Sequence, residues 1–201
     1  MSRVVSRIAV SLDGYAAGAN QRREEPLGDG GERLHEWAFT DPVAESDADI
    51  LARSTENVGA YVMGRNMFAG PGDGAWDPEW RGWWGEDPPY HVPVFVLTHH
   101  EHEPLPMQGG TTFHFVTDGI DAALERAREA AGDRDVHVAG GASTVQQYLA
   151  AGRLDELLLH VAPIVLGAGE RLLENVGDPK LEPVEVVASP AVTHLRYRVM
   201  R

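Results

Sequence analysis

The sequence contains no cysteine and has few basic side chains for its length of 201 residues. Without cysteine, the chain can form no disulfide, thiolate metal site or iron–sulfur cluster, and it has no cysteine nucleophile. Seventeen Lys and Arg residues against 31 Asp and Glu residues give a formal net charge of −14. Such a chain repels phosphate backbones and anionic membranes, so nucleic-acid and lipid binding are disfavoured.

Long hydrophobic runs are also missing. No apolar segment approaches the roughly 20 residues that a membrane span needs, and residues 1–10 are too short and too polar for a secretory signal. Hydrophobic residues nevertheless make up 43% of the chain, which is ordinary for a globular core. No internal repeat is visible. We therefore expect one cytoplasmic domain that covers residues 1–201.

Apolar strands alternate with amphipathic helices along the chain. The pattern predicts strands at 4–11, 61–63, 94–98, 111–116, 135–139, 157–162, 184–188 and 194–200, and helices at 46–57, 119–131 and 144–151. Ser46 or Asp47 is in position to cap the first helix. Helices between strands indicate an α/β fold, with a mostly parallel central sheet and helices on both faces. Alternation of polar and apolar residues in 194–200 indicates an antiparallel C-terminal edge.

The clearest local motif is a strand that runs into Gly140-Gly141 and then directly into a helix. Glycines let a ligand approach the backbone, and a helix start offers unpaired N–H groups with a positive dipole end, so this motif suits a pyrophosphate. Ser143 and Gln146 have the spacing of a capping box. A tight strand-to-helix turn without a ligand is the alternative.

Two further strands end in residues that can bind anions. The strand at 61–63 leads to Gly64 and Arg65, and an arginine can bind a phosphate with two hydrogen bonds or form a surface ion pair. The strand at 94–98 leads to Thr98, His99 and His100. Ligands of open α/β sheets bind at the carboxyl ends of the strands, so the coincidence of three such ends is more specific than any one of them.

Other patterns are weaker. His99, His100 and His102 could form a metal site, but a solvated loop is favoured, and we predict no metal. The GxGxxG fingerprint is absent. Four of the five tryptophans fall in a long loop at 69–93. They form either a stacking wall for a planar ring or a loop held by its own aromatic side chains.

With these strand ends in view, the chain resembles the dihydrofolate reductase superfamily. It is most similar to the branch that contains the C-terminal reductase domain of the bifunctional riboflavin-biosynthesis protein. The resemblance lies in IAVSLDGYAAG (8–18), VMGRNMF (62–68), VFVLTHH (94–100) and VAGGASTVQQYLAAGRLDELLLHVAPIVLGAGERLL (138–173). These motifs span nearly the whole chain in the family's order.

The resemblance implies an NADPH-dependent oxidoreductase that acts on a small heterocyclic molecule and forms a homodimer. It implies these cofactor-binding residues: Val10, Ala16, Ala17, Gly64, Arg65, Asn66, Leu97, Thr98, His99, Gly140, Gly141, Ala142, Ser143 and Thr144. Within this set, residues 140–144 would hold the pyrophosphate, 64–66 an adenosine-side phosphate, and 97–99 the ribose with its 2′-phosphate. Val10, Ala16 and Ala17 would meet the nicotinamide.

The chain departs from the family pattern in two places. Dihydrofolate reductases carry an acid on the helix before the Gly-Arg motif, and the ungapped match here is Ala48; Asp47 or Asp49 would serve after a register shift. The chain also lacks the cysteines of the family's deaminase half. We predict Asp13 and Asp49 as catalytic residues, and Arg22, Trp83 and Trp84 as substrate-binding residues.

Three functions remain open from the sequence. The first is reduction of a compound similar to 5-amino-6-(5-phosphoribosylamino)uracil, the riboflavin precursor. The second is a dihydrofolate reductase-like reaction on a pterin. The third is a non-catalytic protein that keeps the fold and binds a nucleotide or a heterocycle.

Overall fold

The computed structural model describes residues 2–72, 74 and 76–200. Within these residues the strands are β1 (Val4–Ser11), β2 (Tyr15–Gly18), β3 (Val58–Gly64), β4 (Pro93–Leu97), β5 (Leu105–Pro106), β6 (Thr112–Val116), β7 (Asp135–Gly140), β8 (Glu156–Ala162), β9 (Gly169–Arg171), β10 (Lys180–Ala188) and β11 (Thr193–Met200). The α-helices are α1 (Glu45–Thr55), α2 (Arg65–Ala69), α3 (Gly119–Ala131) and α4 (Ala142–Ala150). Short 3-10 helices cover Gly31–Leu34, Glu36–Phe39 and Gln108–Gly110.

Nine of these strands form one sheet in the order β10-β11-β8-β1-β7-β3-β4-β6-β5. The six strands from β8 to β6 in this order are parallel, so their carboxyl ends meet at one edge. β11 pairs antiparallel with β8, and β10 pairs antiparallel with β11. The predicted parallel centre and antiparallel C-terminal edge are therefore confirmed. The short β5 adds a second antiparallel edge beside β6.

Helices α3 and α4 cover one face of the sheet. Alternate residues of the central strands, such as Val62 and Val138, pack there against Leu124 of α3 and Val145 of α4. Tyr148 is fully buried in this layer, and its hydroxyl donates a hydrogen bond of 2.7 Å to the Ile120 carbonyl. This bond fixes the start of α3 relative to α4, and both helix starts border the cleft described below.

The opposite face is covered by the tryptophan-rich loop and by α1 with the first two 3-10 helices. In the loop, Trp76, Trp80 and Trp84 pack on a buried cluster that includes Phe68 and Phe113. Trp80 also donates a hydrogen bond of 2.8 Å from Nε1 to the Phe68 carbonyl. The loop is thus held by its own aromatic side chains, which was one of the two alternatives that the sequence left open.

Two helix starts differ from the prediction. The cap of α1 is Ala44, so Ser46 and Asp47 lie inside the helix and neither makes a capping hydrogen bond. The cap of α4 is Gly141, and Ser143 lies inside the helix without a side-chain cap. Gln146 instead donates a hydrogen bond from its side chain to the Arg171 carbonyl at 2.6 Å. The capping-box prediction was wrong because the helix begins two residues earlier than the hydrophobic pattern indicated.

A second, two-stranded sheet pairs β2 with β9 and was not predicted. Both strands are only three or four residues long and contain glycine, so they lack the period-two pattern that identifies a strand. None of the described helices combines the length and the apolar character that a membrane crossing requires.

Candidate functional site

A cleft of about 350 Å³ opens where the parallel strands end. Its walls come from the ends of β3, β4 and β6, the starts of α2, α3 and α4, and one residue of β9. The lining residues are Gly64, Arg65, Asn66, Gly72, Leu97, Thr98, His99, His100, Val116, Thr117, Gly119, Ile120, Gly141, Ser143, Thr144, Gln147 and Glu170. The structure therefore brings the three predicted strand ends together in one place.

The start of α4 forms one wall. Gly141 is the cap, and its carbonyl accepts hydrogen bonds from the N–H groups of Thr144 and Val145 at 3.1 and 3.2 Å. The earlier N–H groups of a helix have no partner within the helix, and no side chain caps them here. Gly140 has a φ of +133°, a conformation that strongly favours glycine. This wall has the chemistry of an anion site.

A close approach joins this wall to the end of β3. A Cβ atom added at Gly64 would lie 2.5 Å from the Thr144 Oγ1 atom. Contact at this distance is a steric clash, so only glycine allows the β3–α2 turn to sit against α4. The sequence marked Gly64 as part of a motif; the reason for the glycine is visible only in the tertiary structure.

Arg65 lines the cleft but is engaged by the neighbouring loop. Its Nη1 donates to the carbonyls of Gly70 and Gly72 at 2.6 and 2.9 Å, and its Nη2 donates to the Gly74 carbonyl at 2.8 Å. The guanidinium lies 5.6 Å from the Trp76 ring centroid. Its Nε is buried and has no hydrogen-bond partner among the described residues. A two-bond contact between a phosphate and the terminal nitrogens would have to replace these loop bonds.

The end of β4 supplies the opposite wall. Thr98 is buried, and its Oγ1 accepts a hydrogen bond of 3.1 Å from the His100 N–H. The Thr98 N–H in turn donates to the Val116 carbonyl of β6 at 3.1 Å. His99 is exposed at the rim. The hydroxyl thus fixes the turn, which leaves the imidazole of His99 as the more accessible donor.

The sequence analysis missed a fourth strand end. Val116 ends β6, and Thr117, Gly119 and Ile120 carry the chain into α3 at the cleft. The sequence contained a signal for this strand end, because the predicted strand at 111–116 is followed closely by Gly119 and the predicted helix at 119–131. Gln147 and Glu170 were also missed. Glu170 places a negative charge in the cleft, and no local pattern marks it because it comes from the unpredicted β9.

Some predicted cofactor residues do not line the cleft. Val10 and Ala142 are buried in the main core. Ala16 and Ala17 lie in β2, and Gly140 ends β7 behind Gly141. A contribution of these residues to a site would come through the backbone and through the position of their strands. A role for these five residues at the nicotinamide or the pyrophosphate stays a prediction.

The Asp13 side chain binds backbone N–H groups. Its carboxylate accepts hydrogen bonds from the N–H groups of Leu166 and Gly167 at 3.1 and 2.8 Å. The Ser11 hydroxyl, followed by these backbone N–H groups, lowers the pKa of Asp13 to about 2. A carboxyl group of such low pKa is ionised near neutral pH and holds no proton to donate. Its position fits a structural role better than catalysis.

The other predicted catalytic and substrate-binding residues lie outside the cleft. Asp49 is on the exposed side of α1, so a catalytic role for it finds no support in the geometry. Arg22 pairs with Glu25 and Asp29 within its own loop. Trp83 packs edge-on against Trp80, and Trp84 packs edge-on against Tyr90. These two tryptophans hold the loop together, and their predicted contact with a substrate stays untested.

The acid that α1 turns toward the sheet is Asp47. Its side chain is 1% exposed and contacts Ser189 and His194. Ala48, the ungapped match to the acid of dihydrofolate reductases, is exposed. A shift of one residue in the expected register therefore places a buried carboxylate on this face of the sheet.

The histidines after β4 do not form a metal cluster. The His102 ring stacks on Trp76 at a centroid distance of 4.1 Å and an angle of 16°. Within residues 2–72, 74 and 76–200, no group of three His, Asp or Glu side chains is placed to hold a metal ion.

The comparisons with known proteins fit this geometry. The family model described as the RibD C-terminal domain matches residues 2–195. The chain belongs to this family. Among solved structures, a Shewanella sp. PV-4 protein with a provisional assignment to riboflavin biosynthesis is 23% identical, with a TM-score of 0.65 and 99% of both chains covered.

Two further structures have the same fold. The riboflavin biosynthesis reductase Rib7 of Saccharomyces cerevisiae is 14% identical, has a TM-score of 0.57, and is matched over 100% of this chain and 89% of its own. The dihydrofolate reductase of Enterococcus faecalis, in complex with NADP(H), is 14% identical, has a TM-score of 0.59, and is matched over 98% and 96%. The dihydrofolate reductase-like fold expected from the sequence is confirmed, and the RibD C-terminal domain family is the branch to which it belongs.

The residues of the cleft fit a dinucleotide. The uncapped start of α4 and the unpartnered Arg65 Nε both favour an anionic group. Ser143 and Thr144 would then hold the pyrophosphate, and Arg65 and His99 are the cationic or potentially cationic groups nearby. Glu170, which also lines the cleft, adds a negative charge beside them.

Proposed function

We propose that the chain is an NADPH-dependent reductase of a pyrimidine-type heterocycle, similar to the reductase of 5-amino-6-(5-phosphoribosylamino)uracil in riboflavin biosynthesis. The observation that carries the proposal is the convergence of four strand ends and the uncapped start of α4 in one cleft. Membership of the RibD C-terminal domain family supports the reaction class.

The cofactor would supply the hydride, so the protein has to bind and orient more than it has to react. The backbone at 141–144 would hold the pyrophosphate, and the residues at 97–99 would flank the adenosine ribose. In a chain of charge −14, the helix starts and the Arg65 guanidinium concentrate positive potential where the anion binds. The tryptophan-rich loop, held by its aromatic contacts, would restrict water on the face of the sheet that α3 and α4 do not cover.

A titration with NADPH, followed by tryptophan fluorescence, tests cofactor binding. Trp76 is the expected reporter, because its ring lies beside the Arg65 guanidinium at the cleft. We expect quenching or energy transfer to the reduced nicotinamide at micromolar cofactor. Absence of a signal with wild-type protein at high micromolar NADPH, together with no heat of binding in calorimetry, contradicts the proposal.

The Ser143→Glu variant tests where the pyrophosphate binds. Ser143 is exposed at the cleft in the first turn of α4. A carboxylate there stabilises the helix through its dipole but repels a bound anion, so stability and binding move in opposite directions. We expect a loss of NADPH affinity of tenfold or more, about 1.4 kcal/mol, with an unchanged or higher melting temperature. Ser143→Ala is the matched control and should bind within about threefold of wild type.

Turnover separates an enzyme from a protein that only binds. NADPH consumption is measured with the ribosylaminopyrimidine precursor and, in parallel, with dihydrofolate. We expect oxidation of NADPH with the pyrimidine and none with the pterin. Binding of NADPH without consumption with either compound would support the non-catalytic alternative.

A further inference from the structure

A chain of buried polar side chains crosses the sheet face that lies opposite α3 and α4. We call Asp47, His194 and His160 the histidine chain. The Nε2 atom of His194 lies 3.2 Å from Asp47 Oδ1, and the Nδ1 atoms of His194 and His160 are 2.7 Å apart. The three residues are at most 8% exposed. Ser189 donates a hydrogen bond of 2.9 Å to the other oxygen of Asp47, which fixes the carboxylate.

The hydrogen-bond directions of the histidine chain follow from its end at Asp47. With Asp47 ionised, its carboxylate only accepts hydrogen bonds, so His194 Nε2 carries the proton of that contact. With His194 neutral as well, its Nδ1 is an acceptor, and the short contact requires His160 Nδ1 to donate. The remaining nitrogen of His160, Nε2, is therefore left with a lone pair. The tautomer of His160 is thus set by Asp47, although the two residues do not touch.

The surroundings keep His160 neutral. Burial first, then His194, His35 and Arg7, lower the pKa of His160 to about 3, and only Asp47 acts in the other direction. The indole of Trp37 packs on both imidazoles, with centroid distances of 4.9 Å to His160 and 5.0 Å to His194. An indole over the pair restricts water, so a second proton on the pair is disfavoured.

The histidine chain ends beside β1. His160 is the cross-strand partner of Ala9 and shares its face of the sheet, whereas Val10, the next residue of β1 and the one expected at the nicotinamide, has its side chain in the core on the other face. Trp37 is 4% exposed, and its Nε1 is buried without a hydrogen-bond partner among the described residues. The ring that packs on His160 therefore carries an unsatisfied donor, and His160 Nε2 carries the lone pair inferred above. Buried polar groups without partners are rare and commonly mark a site that a ligand or a water completes.

We propose that His160 Nε2, oriented by Asp47 through His194, accepts a hydrogen bond from a ring N–H of the heterocyclic substrate. The inference rests on the proposed function, because it assumes that a pyrimidine-type ring binds on this face of the sheet. It goes beyond that function by naming the groups that select the ring. Asp47 and His194 are positioning residues in this arrangement, and His160 contacts the substrate. A site built to accept an N–H rejects an analogue that lacks it.

Nitrogen NMR of the ligand-free protein, labelled with ¹⁵N-histidine and measured at pH 8, tests the tautomers. We expect His160 to carry its proton on Nδ1 and His194 to carry its proton on Nε2. In Asp47→Asn, the amide can donate to His194, which reverses both tautomers while it keeps the side-chain volume. Protonation of His160 at Nε2 in the wild-type protein would overturn the inference.

Binding of two matched probes tests recognition of the ring. 5,6-Diaminouracil has two ring N–H groups, and 1,3-dimethyl-5,6-diaminouracil has none. We expect the wild-type protein to prefer the first probe by about tenfold or more. His160→Leu should remove the preference, and His160→Gln, whose amide oxygen can accept the same hydrogen bond, should restore part of it.

A histidine outside the chain provides the control. His114 of β6 stacks on Phe95 at 5.2 Å, and four strands separate β6 from β8, the strand of His160. His114→Leu should therefore keep the full preference. The ratio of the two probe affinities is compared between the proteins. The steric effect of the added methyl groups is common to all of them, so a difference in this ratio reports the hydrogen bond to His160.

Cofactor binding distinguishes failure of this inference from failure of the proposed function. NADPH affinity should be unchanged in the His160 variants, because His160 does not line the cleft. If NADPH binds but wild-type protein shows no preference between the probes, or binds neither, this inference is wrong and the reductase proposal stands. If NADPH does not bind, the reductase proposal fails, and the probe preference still decides the role of His160.

Discussion

Replacement of Gly64 by alanine tests the geometry on which the cleft depends. The added methyl carbon would lie 2.5 Å from Thr144 Oγ1, whereas ordinary contact begins at 3.4 Å. Unless Thr144 rotates about χ1, the β3–α2 turn and the start of α4 must separate by about 0.9 Å, the difference between these two distances. Overpacking of this kind costs about 1–3 kcal/mol of folding stability.

The effect on cofactor binding should be large, because the same movement displaces both walls of the anion site. Loss of one or two charge-assisted hydrogen bonds costs about 1.5–3 kcal/mol, which corresponds to a roughly 10- to 150-fold weaker NADPH affinity. We expect this loss in calorimetry, together with a lower midpoint of denaturant unfolding.

The double variant Gly64→Ala/Thr144→Ala identifies the cause. It removes the Oγ1 atom that the new methyl group would meet, so it should recover most of the stability that Gly64→Ala loses. Thr144→Ala alone provides the reference for the cycle. Equal NADPH affinity in wild type and Gly64→Ala would refute the reasoning, and so would an undiminished stability loss in the double variant.

Three other predictions concern charge and protonation. The free energy of unfolding should fall as the pH decreases from 6.5 toward 3. Burial lowers the pKa of His160 from 6.5 in the unfolded chain to about 3 in the folded one, so only the unfolded chain takes up this proton in that range. His160→Gln should reduce the slope by about 1.4 kcal/mol per pH unit in equilibrium unfolding between pH 6 and 4.5. Asp13→Asn should lower the melting temperature at pH 7 but leave the pH profile of turnover above pH 5 unchanged. The low pKa of Asp13 excludes it as a proton donor above pH 5. Loss of turnover with retained stability would contradict this prediction. Arg65→Lys should loosen the loop around Trp76, because one ammonium group cannot replace bonds to the Gly70, Gly72 and Gly74 carbonyls, and limited proteolysis should cut this loop faster than in wild type.

The central part of the fold could be predicted because local patterns and tertiary packing agree there. The helix at Gly119–Ala131 has one apolar face, and the structure places Ala123, Leu124 and Ala127 of that face in the core. β1 has the predicted limits Val4–Ser11. The starts of α1 and α4 differ from the prediction because their caps are Ala44 and Gly141, which have no polar side chain that a capping pattern could identify.

The site was predicted only where it follows strand ends. Gly64, Thr98 and Ser143 line the cleft, because parallel strands bring their carboxyl ends to one edge. Asp13, Asp49 and Arg22 were chosen for their chemistry and their place in the sequence, and the structure gives them other partners or no place in the cleft. Burial and hydrogen bonding, which decide whether a carboxylate is available, depend on residues far away in the sequence.

The amino-acid sequence alone determined the class of fold, the order of the longer strands and helices and the presence of glycines and helix starts at several strand ends, because these depend on short-range periodicity and local residue types. The tertiary structure alone decided which buried acid faces the sheet. Asp47 contacts His194, which is 147 residues away, and His194 contacts His160. A hydrogen-bonded chain of this kind has no local pattern, because its members are brought together by the pairing of β11 with β8 and by the contact of Asp47 on α1 with His194 of β11.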